Sequence, residues 1–148
     1  MYKNVLWATD GSDAADRALT HAKALAAEGG GTVTVVYCEE FTLPGGKGGG
    51  SFPVHVNESE VQEKIERQVA ELSGNGTKAT LEMTRSKAGG AAHAIAEIAA
   101  QEHSDVIVVG TRGRTAIAGL LLGGVTQRLL HIAPCPVLAV PPEQGTEG

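Results

Sequence analysis

The chain has 148 residues, a net charge of -5, 20 glycines and few aromatics (two Phe, two Tyr, one Trp). That length suits one domain able to bury roughly 68–70% of its unfolded surface, and an acidic chain poor in aromatics lacks the basic footprint or stacking platforms of a nucleic-acid binder. Cys38 and Cys135 lie far apart, with neither a disulfide framework nor metal-ligand spacing, and are expected to be small buried thiols. Met1-Tyr2-Lys3-Asn4 runs into a strand with no signal-peptide core, and no run approaches the roughly 18 apolar residues of a membrane span. A cytoplasmic protein without membrane contact is expected.

Val5-Leu6-Trp7-Ala8 is an apolar run ending at Thr9-Asp10-Gly11-Ser12, which reads as a strand, a turn and a helix cap. Ala15, Ala18, Leu19, Ala22, Leu25 and Ala26 then follow the spacing of one helical face, and Gly29 to Gly31 stop that helix. The β-branched run Thr32 to Tyr37 predicts a second strand. Residues 39–56 form a connection longer than βα loops usually are, and its Gly45-Gly46 and Gly48-Gly49-Gly50 suggest mobility. Asn57 with Glu60 is a capping signal, Val61, Ile65, Val69 and Leu72 give the buried face of a second helix, and Gly74 and Gly76 end it. Ala79 to Thr84 predicts a weaker strand, and Ala91, Ile95, Ile98 and Ala99 a helix that closes near His103. Val106-Ile107-Val108-Val109 is a buried strand, a helix begins at about Gly124, and Pro136 to Val140 is a short last strand whose prolines suit a sheet edge.

Strands alternating with helices call for an α/β fold, a parallel sheet covered on both faces. Ligands of such sheets bind outside the carboxyl ends of the strands, where the strand order reverses. The residues leave the orders 2-1-3-4-5 and 3-2-1-4-5 open. Only the second makes strands one and four neighbours and sets Asp10 across a crevice from Gly110.

The densest functional signal is Gly110-Thr111-Arg112-Gly113, then nine residues, then Gly123-Gly124-Val125-Thr126. It falls where a buried strand gives way to a loop and a helix start. Glycine lets backbone N–H groups approach an anion, a helix N-terminus adds partial positive charge, and Arg112 and Arg114 supply full charge. No Gly-Lys-Ser/Thr follows, so this is not a P-loop, and the compact G-x-G-x-x-G of a dinucleotide fold is absent. Asp13 and Asp16 crowd the start of the first helix, whereas none stands near Gly124, so phosphates belong at the last helix and the nucleoside toward the first strand. His21, His93 and His103 fall in helices and His131 near a helix end, without a partner pattern for metal or catalysis.

The segment Val5 to Ser12, with Val108 to Gly113, Leu122 to Val125 and Ala133-Pro134-Cys135-Pro136-Val137, resembles the universal stress protein family over essentially the whole chain, residues 1–148. The resemblance implies a five-stranded parallel sheet in the order 3-2-1-4-5, similar to the adenine nucleotide alpha hydrolases; within this single domain 39–56 is expected to be a flexible Gly-rich loop and 143–148 a disordered tail. It also implies a homodimer formed by Val137 to Val140 pairing across a two-fold axis. In one branch it implies an adenine nucleotide held through G-x2-G-x9-G-(S/T), which here reads Gly110, Gly113, Gly123 and then Gly124. Gly124 departs from that pattern. It keeps the backbone N–H but lacks a hydroxyl contact to an anionic oxygen, on the order of 1.5–3 kcal/mol, which Thr126 two residues on is expected to offer.

Carried over by position, the resemblance implies that Ala8, Thr9 and Asp10 line the nucleoside side, with Asp10 facing a ribose hydroxyl or a nucleotide-bound magnesium. Cys38, at the end of strand two, falls where backbone groups hold the adenine edge. Gly110, Arg112 and Gly113 approach sugar and phosphates, and Gly123, Gly124, Val125 and Thr126 offer N–H groups. Two functions follow: a stress-response module that binds ATP, AMP or a cyclic nucleotide, and a nucleotide-independent dimer. A slow ATPase or nucleotidyl transferase is a further alternative, although no P-loop Lys, Ser-His-Asp set or carboxylate pair supports strong catalysis.

Overall fold

In the computed structural model the structure describes residues 2–41, 58–87, 90–111 and 124–141. Five strands and four helices alternate there: β1 (Asn4–Thr9), α1 (Asp13–Gly29), β2 (Thr32–Phe41), α2 (Glu58–Gly74), β3 (Lys78–Lys87), α3 (Ala91–Gln101), β4 (Val106–Gly110), α4 (Gly124–Ile132) and β5 (Val137–Val140). All neighbouring strands are parallel, in the order β3-β2-β1-β4-β5. The open choice of strand order is thereby settled in favour of the one that makes β1 and β4 neighbours.

Side chains alternate across the central strands and build two cores. Val5 and Trp7 of β1, Val33 and Val35 of β2, and Val106 and Val108 of β4 pack with Ala18, Leu19 and Ala22 of α1 and Ile65 and Leu72 of α2. Leu6, Val36, Ile107 and Val109 face the other way, onto Ile95 and Ala99 of α3 and Leu129 of α4. Each fully buried Val, Leu or Ile of this kind contributes about 1.5–3 kcal/mol relative to leaving it in water. Trp7 is wholly buried, and its ring N–H donates to the Ala15 carbonyl at 2.9 Å, so the largest core side chain also bonds α1 to β1.

Helix ends follow local chemistry. Ser12 caps α1, its hydroxyl accepting the Ala15 N–H at 3.2 Å. At the other end Gly31 N–H reaches the Ala26 carbonyl and Gly30 N–H the Ala27 carbonyl, with Gly30 at φ 63, a Schellman motif. The same motif ends α3, where Ser104 N–H bonds the Ala99 carbonyl and His103 occupies the left-handed position at φ 57. His103 therefore stands beyond the helix rather than in it, and its carbonyl accepts the Asn4 side-chain amide at 3.1 Å.

Two strands are longer than their sequences suggest. β2 continues through Glu39, Glu40 and Phe41 in register with Arg85, Ser86 and Lys87 of β3, so residues 39–41 are strand and not loop. Past Cys38 the strand continues in backbone register with β3, a pairing that the composition of Glu39-Glu40 does not display. The remainder of the connection, the Asn57 cap and the tail 143–148 lie outside the described residues. β5 is an edge strand, as its prolines suggest, and the Pro136 carbonyl accepts the Ile107 N–H at 2.9 Å. No helix among the described residues is long and apolar enough to cross a membrane.

Candidate functional site

The strand order reverses between β1 and β4. β1 leads to α1 on one face and β4 to α4 on the other, so their carboxyl ends flank a crevice. Pairing of Val5 with Val106, Leu6 with Ile107 and Trp7 with Val108 sets Thr9-Asp10 and Gly110 at the same end of the sheet. A cleft of about 510 Å³ lined by Gly30, Thr32, Ser73, Gly76 and Lys78 lies at the opposite end, away from the reversal point.

On the β1 side, Ala8 and Thr9 are buried and Asp10 is half-buried. Thr9 Oγ1 accepts the Gly11 N–H at 3.0 Å, and an Asp10 carboxylate oxygen accepts the Ser12 N–H at 3.0 Å. These are the side-chain-to-backbone bonds that tight turns favour. The turn role of Thr-Asp-Gly is thus realised, and it fixes one Asp10 carboxylate oxygen at the carboxyl end of β1. Cys38 is half-buried on the α3 and α4 side of β2. It lies three residues before the strand's end at Phe41 and one residue past Tyr37, the last partner of β1. Cys38 and Cys135 form no disulfide, and both are half-buried rather than fully buried.

On the β4 side, a Cβ on Gly110 would stand 2.8 Å from the Ala14 carbonyl oxygen and 2.9 Å from its carbon. Glycine is required there because α1 packs onto the end of β4. The Gly110 carbonyl accepts the Thr126 hydroxyl at 2.8 Å, and Thr126 is only 3% exposed. The hydroxyl that the sequence offers in place of the one missing at Gly124 is engaged here within the protein, where it ties α4 to β4. What Gly124, Val125 and Thr126 present is the first turn of α4, whose N–H groups lack intrahelical acceptors and which contains no acidic residue. Arg112, Gly113, Arg114 and Gly123 lie outside the described residues.

The two helix starts differ electrostatically. α1 has Asp13 and Asp16 in its first turn, and Asp16 is engaged by Lys64 of α2 at 2.7 Å and by Gln68 at 3.0 Å. Lys64 also donates to the Gly11 carbonyl at 3.1 Å. Sequence reasoning passed over Lys64 because a lysine beside Ile65 on an amphipathic helix reads as a solvated charge. The available signal was its position one turn after Val61, on the edge of the buried stripe. Among the described residues no group of three or more His, Cys, Asp or Glu is placed to hold a metal ion.

Among the described residues the two perturbed titrations lie elsewhere. Asp105, just before β4, accepts the N–H groups of Asn4 and Lys3, and those two bonds hold its carboxyl below the usual carboxylate range. Burial pushes the Cys135 thiol up, with the charge of Asp105 adding to the effect.

The sequence profile of the Universal stress protein family matches residues 1–141. The chain belongs to that family. A universal stress protein of Thermus aquaticus, from the QAH/OAS sulfhydrylase 3′ region, is 38% identical over 141 residues, which cover 95% of this chain and 99% of that one. Among solved structures, MJ0577 of Methanocaldococcus jannaschii superposes with a TM-score of 0.76 at 25% identity, covering 98% of this universal stress protein and 99% of its own chain. The universal stress protein of Archaeoglobus fulgidus, solved in complex with dAMP, has a TM-score of 0.62 at 24% identity over 95% of this chain and 98% of that one. The expected fold is thereby matched as well as the family.

Proposed function

We propose that this universal stress protein binds an adenine nucleotide across the β1–β4 crevice and acts as a regulatory module rather than a fast enzyme. The observation that carries the reading is the first turn of α4, free of acidic residues and anchored by Thr126 to the end of β4. A helix start of that kind favours an anion through its N–H groups and its dipole. The dAMP bound by the Archaeoglobus relative supports the ligand class. In this reading Ala8, Thr9 and Asp10 line the nucleoside side, Asp10 accepts a ribose hydroxyl, and the backbone of Cys38 meets the base edge. Gly110, Arg112 and Gly113 approach the sugar and phosphates, while Gly123, Gly124, Val125 and Thr126 offer N–H groups. Asp10 is a hard oxygen donor of the kind magnesium takes, but such an ion is usually held by one or two carboxylates together with phosphates, so it would arrive with the nucleotide.

Titration calorimetry with AMP, ADP and ATP, with and without magnesium, tests the reading. The expected result is binding of all three, with ATP held no more than about tenfold tighter than AMP because the hydroxyl at position 124 is missing. No heat with any of them would remove the proposal. It would leave the second reading, a nucleotide-independent dimer, which the loss of that hydroxyl favours. Steady ATP turnover abolished by Asp10→Ala would instead mark an enzyme. For the dimer, β5 supplies an edge strand whose Leu138 is 37% exposed. Pairing of Val137 to Val140 with a second copy would cover that edge. Sedimentation of Leu138→Lys should then show a shift toward monomer.

A further inference from the structure

Helix α2 meets the β1–α1 turn through three residues on successive turns of one face. A Cβ built on Gly11 would stand 2.7 Å from Val61 Cγ1, so the helix lies directly on that glycine. One turn on, Lys64 Nζ donates to the Gly11 carbonyl at 3.1 Å and to Asp16 at 2.7 Å. One turn further, Gln68 Nε2 donates to the other Asp16 oxygen at 3.0 Å. Gly11 itself sits at φ 86, where side chains are disfavoured. Its N–H is bonded to Thr9 and the next N–H, of Ser12, to Asp10. The turn that orients Asp10 is therefore tied internally on one side and fastened to α2 on the other.

An exposed Lys–Asp pair alone does little for a fold. Here both side chains are about one-third exposed, at 30% and 32%, and the same ammonium also takes a backbone carbonyl one residue from Asp10. We infer that Lys64 is a positioning residue for the nucleoside side of the crevice: it fixes the Gly11 carbonyl, and hence Asp10, and it makes occupancy of the crevice felt along α2. The second clause rests on the nucleotide reading proposed above. The first concerns the ligand-free chain.

Hydrogen exchange read by mass spectrometry, on the wild-type chain and on Lys64→Met, Lys64→Arg and Asp16→Asn, tests it with AMP as the probe. Without AMP, amides 11–16 of Lys64→Met should exchange about tenfold faster while those of β5 do not change, since loss of a charged hydrogen bond opens the structure locally. AMP should protect residues 61–68 in the wild type and not in Lys64→Met, whose affinity should fall about tenfold because the turn is no longer preorganised. Lys64→Arg keeps the cation and should recover most of both effects. Unchanged exchange over 11–16 in Lys64→Met overturns the inference, as does an equal loss of affinity in Lys64→Arg. If Lys64→Met does not fold, Asp16→Asn decides in its place, with the same pattern at smaller size expected and unchanged exchange overturning it. A wild-type chain that binds no AMP removes the nucleotide reading and the second clause together, and ligand-free exchange still decides the first.

Discussion

The Thr126 hydroxyl donates to the Gly110 carbonyl at 2.8 Å, joining the first turn of α4 to the last residue of β4. Thr126 is 3% exposed, so its hydroxyl has no water as a substitute partner. Thr126→Val keeps the shape and removes the bond, which should cost about 0.5–1.5 kcal/mol. Urea unfolding should show that loss, and Thr126→Ser should recover most of it. Equal stability of the Val and wild-type chains would mean that the bond does not hold α4 in place.

Gly110 is also the point where α1 and β4 come closest. A methyl there would press on the Ala14 carbonyl oxygen at 2.8 Å, its carbon at 2.9 Å and the Ala14 side chain at 3.0 Å. Two of the three are backbone atoms, so relief requires α1 to shift. Gly110→Ala should lose about 1–3 kcal/mol by overpacking, visible as a lower urea midpoint. A stable Gly110→Ala chain with normal nucleotide affinity would show that the contact is easily relieved.

Asp105 gives a pH signature at the opposite end of the sheet. Its carboxylate accepts the Lys3 and Asn4 N–H groups, each at 2.9 Å, and its pKa is lowered in consequence. The unfolded chain therefore binds the proton more readily, so the stabilising contribution is present above the ordinary Asp value of about 3.9 and is lost as pH falls through the lower folded value. Asp105→Ala should melt below wild type at neutral pH, and the gap should narrow as pH drops below about 4. A gap that is the same in acid as at neutrality would assign the loss to packing instead.

The pattern of elements was legible where burial is two-sided. Val5 to Ala8 and Val106 to Val109 are unbroken apolar runs because they are the central strands, packed on both faces. α1 was legible from Ser12 to Gly31 because both of its ends use side-chain or glycine chemistry that a sequence displays. β2 beyond Cys38 was not, since strand pairing with β3 is a backbone property and leaves no trace in Glu39-Glu40-Phe41. The reversal between β1 and β4 likewise came from resemblance and not from residues, because periodicity says nothing about strand order. At the site, the glycine at position 110 was recognised but for a different reason: its neighbour in space is α1, 96 residues earlier at Ala14. The anchoring bond of the Thr126 hydroxyl was not foreseen and Lys64 was passed over, because each depends on a partner distant in sequence.

Gly124 is the residue on which ligand preference should turn. It opens α4, at the position where the pattern G-x2-G-x9-G-(S/T) implied by the resemblance calls for a Ser or Thr hydroxyl. Gly124→Ser would place a hydroxyl beside the first N–H groups of the helix without disturbing Thr126, whose own hydroxyl is engaged by Gly110. If the terminal phosphates lie against α4, ATP should gain about 1.5–3 kcal/mol, or roughly ten- to a hundredfold in affinity, while AMP gains less. Replacing glycine also removes backbone freedom and should raise the melting temperature slightly in the absence of any nucleotide. That stabilising effect is common to every ligand, so the deciding quantity is the ratio of ATP to AMP affinity measured by calorimetry on both chains. A ratio unchanged by Gly124→Ser would place the terminal phosphates away from this helix and would point to the part of the crevice around Asp10 and Gly110 as the part that binds.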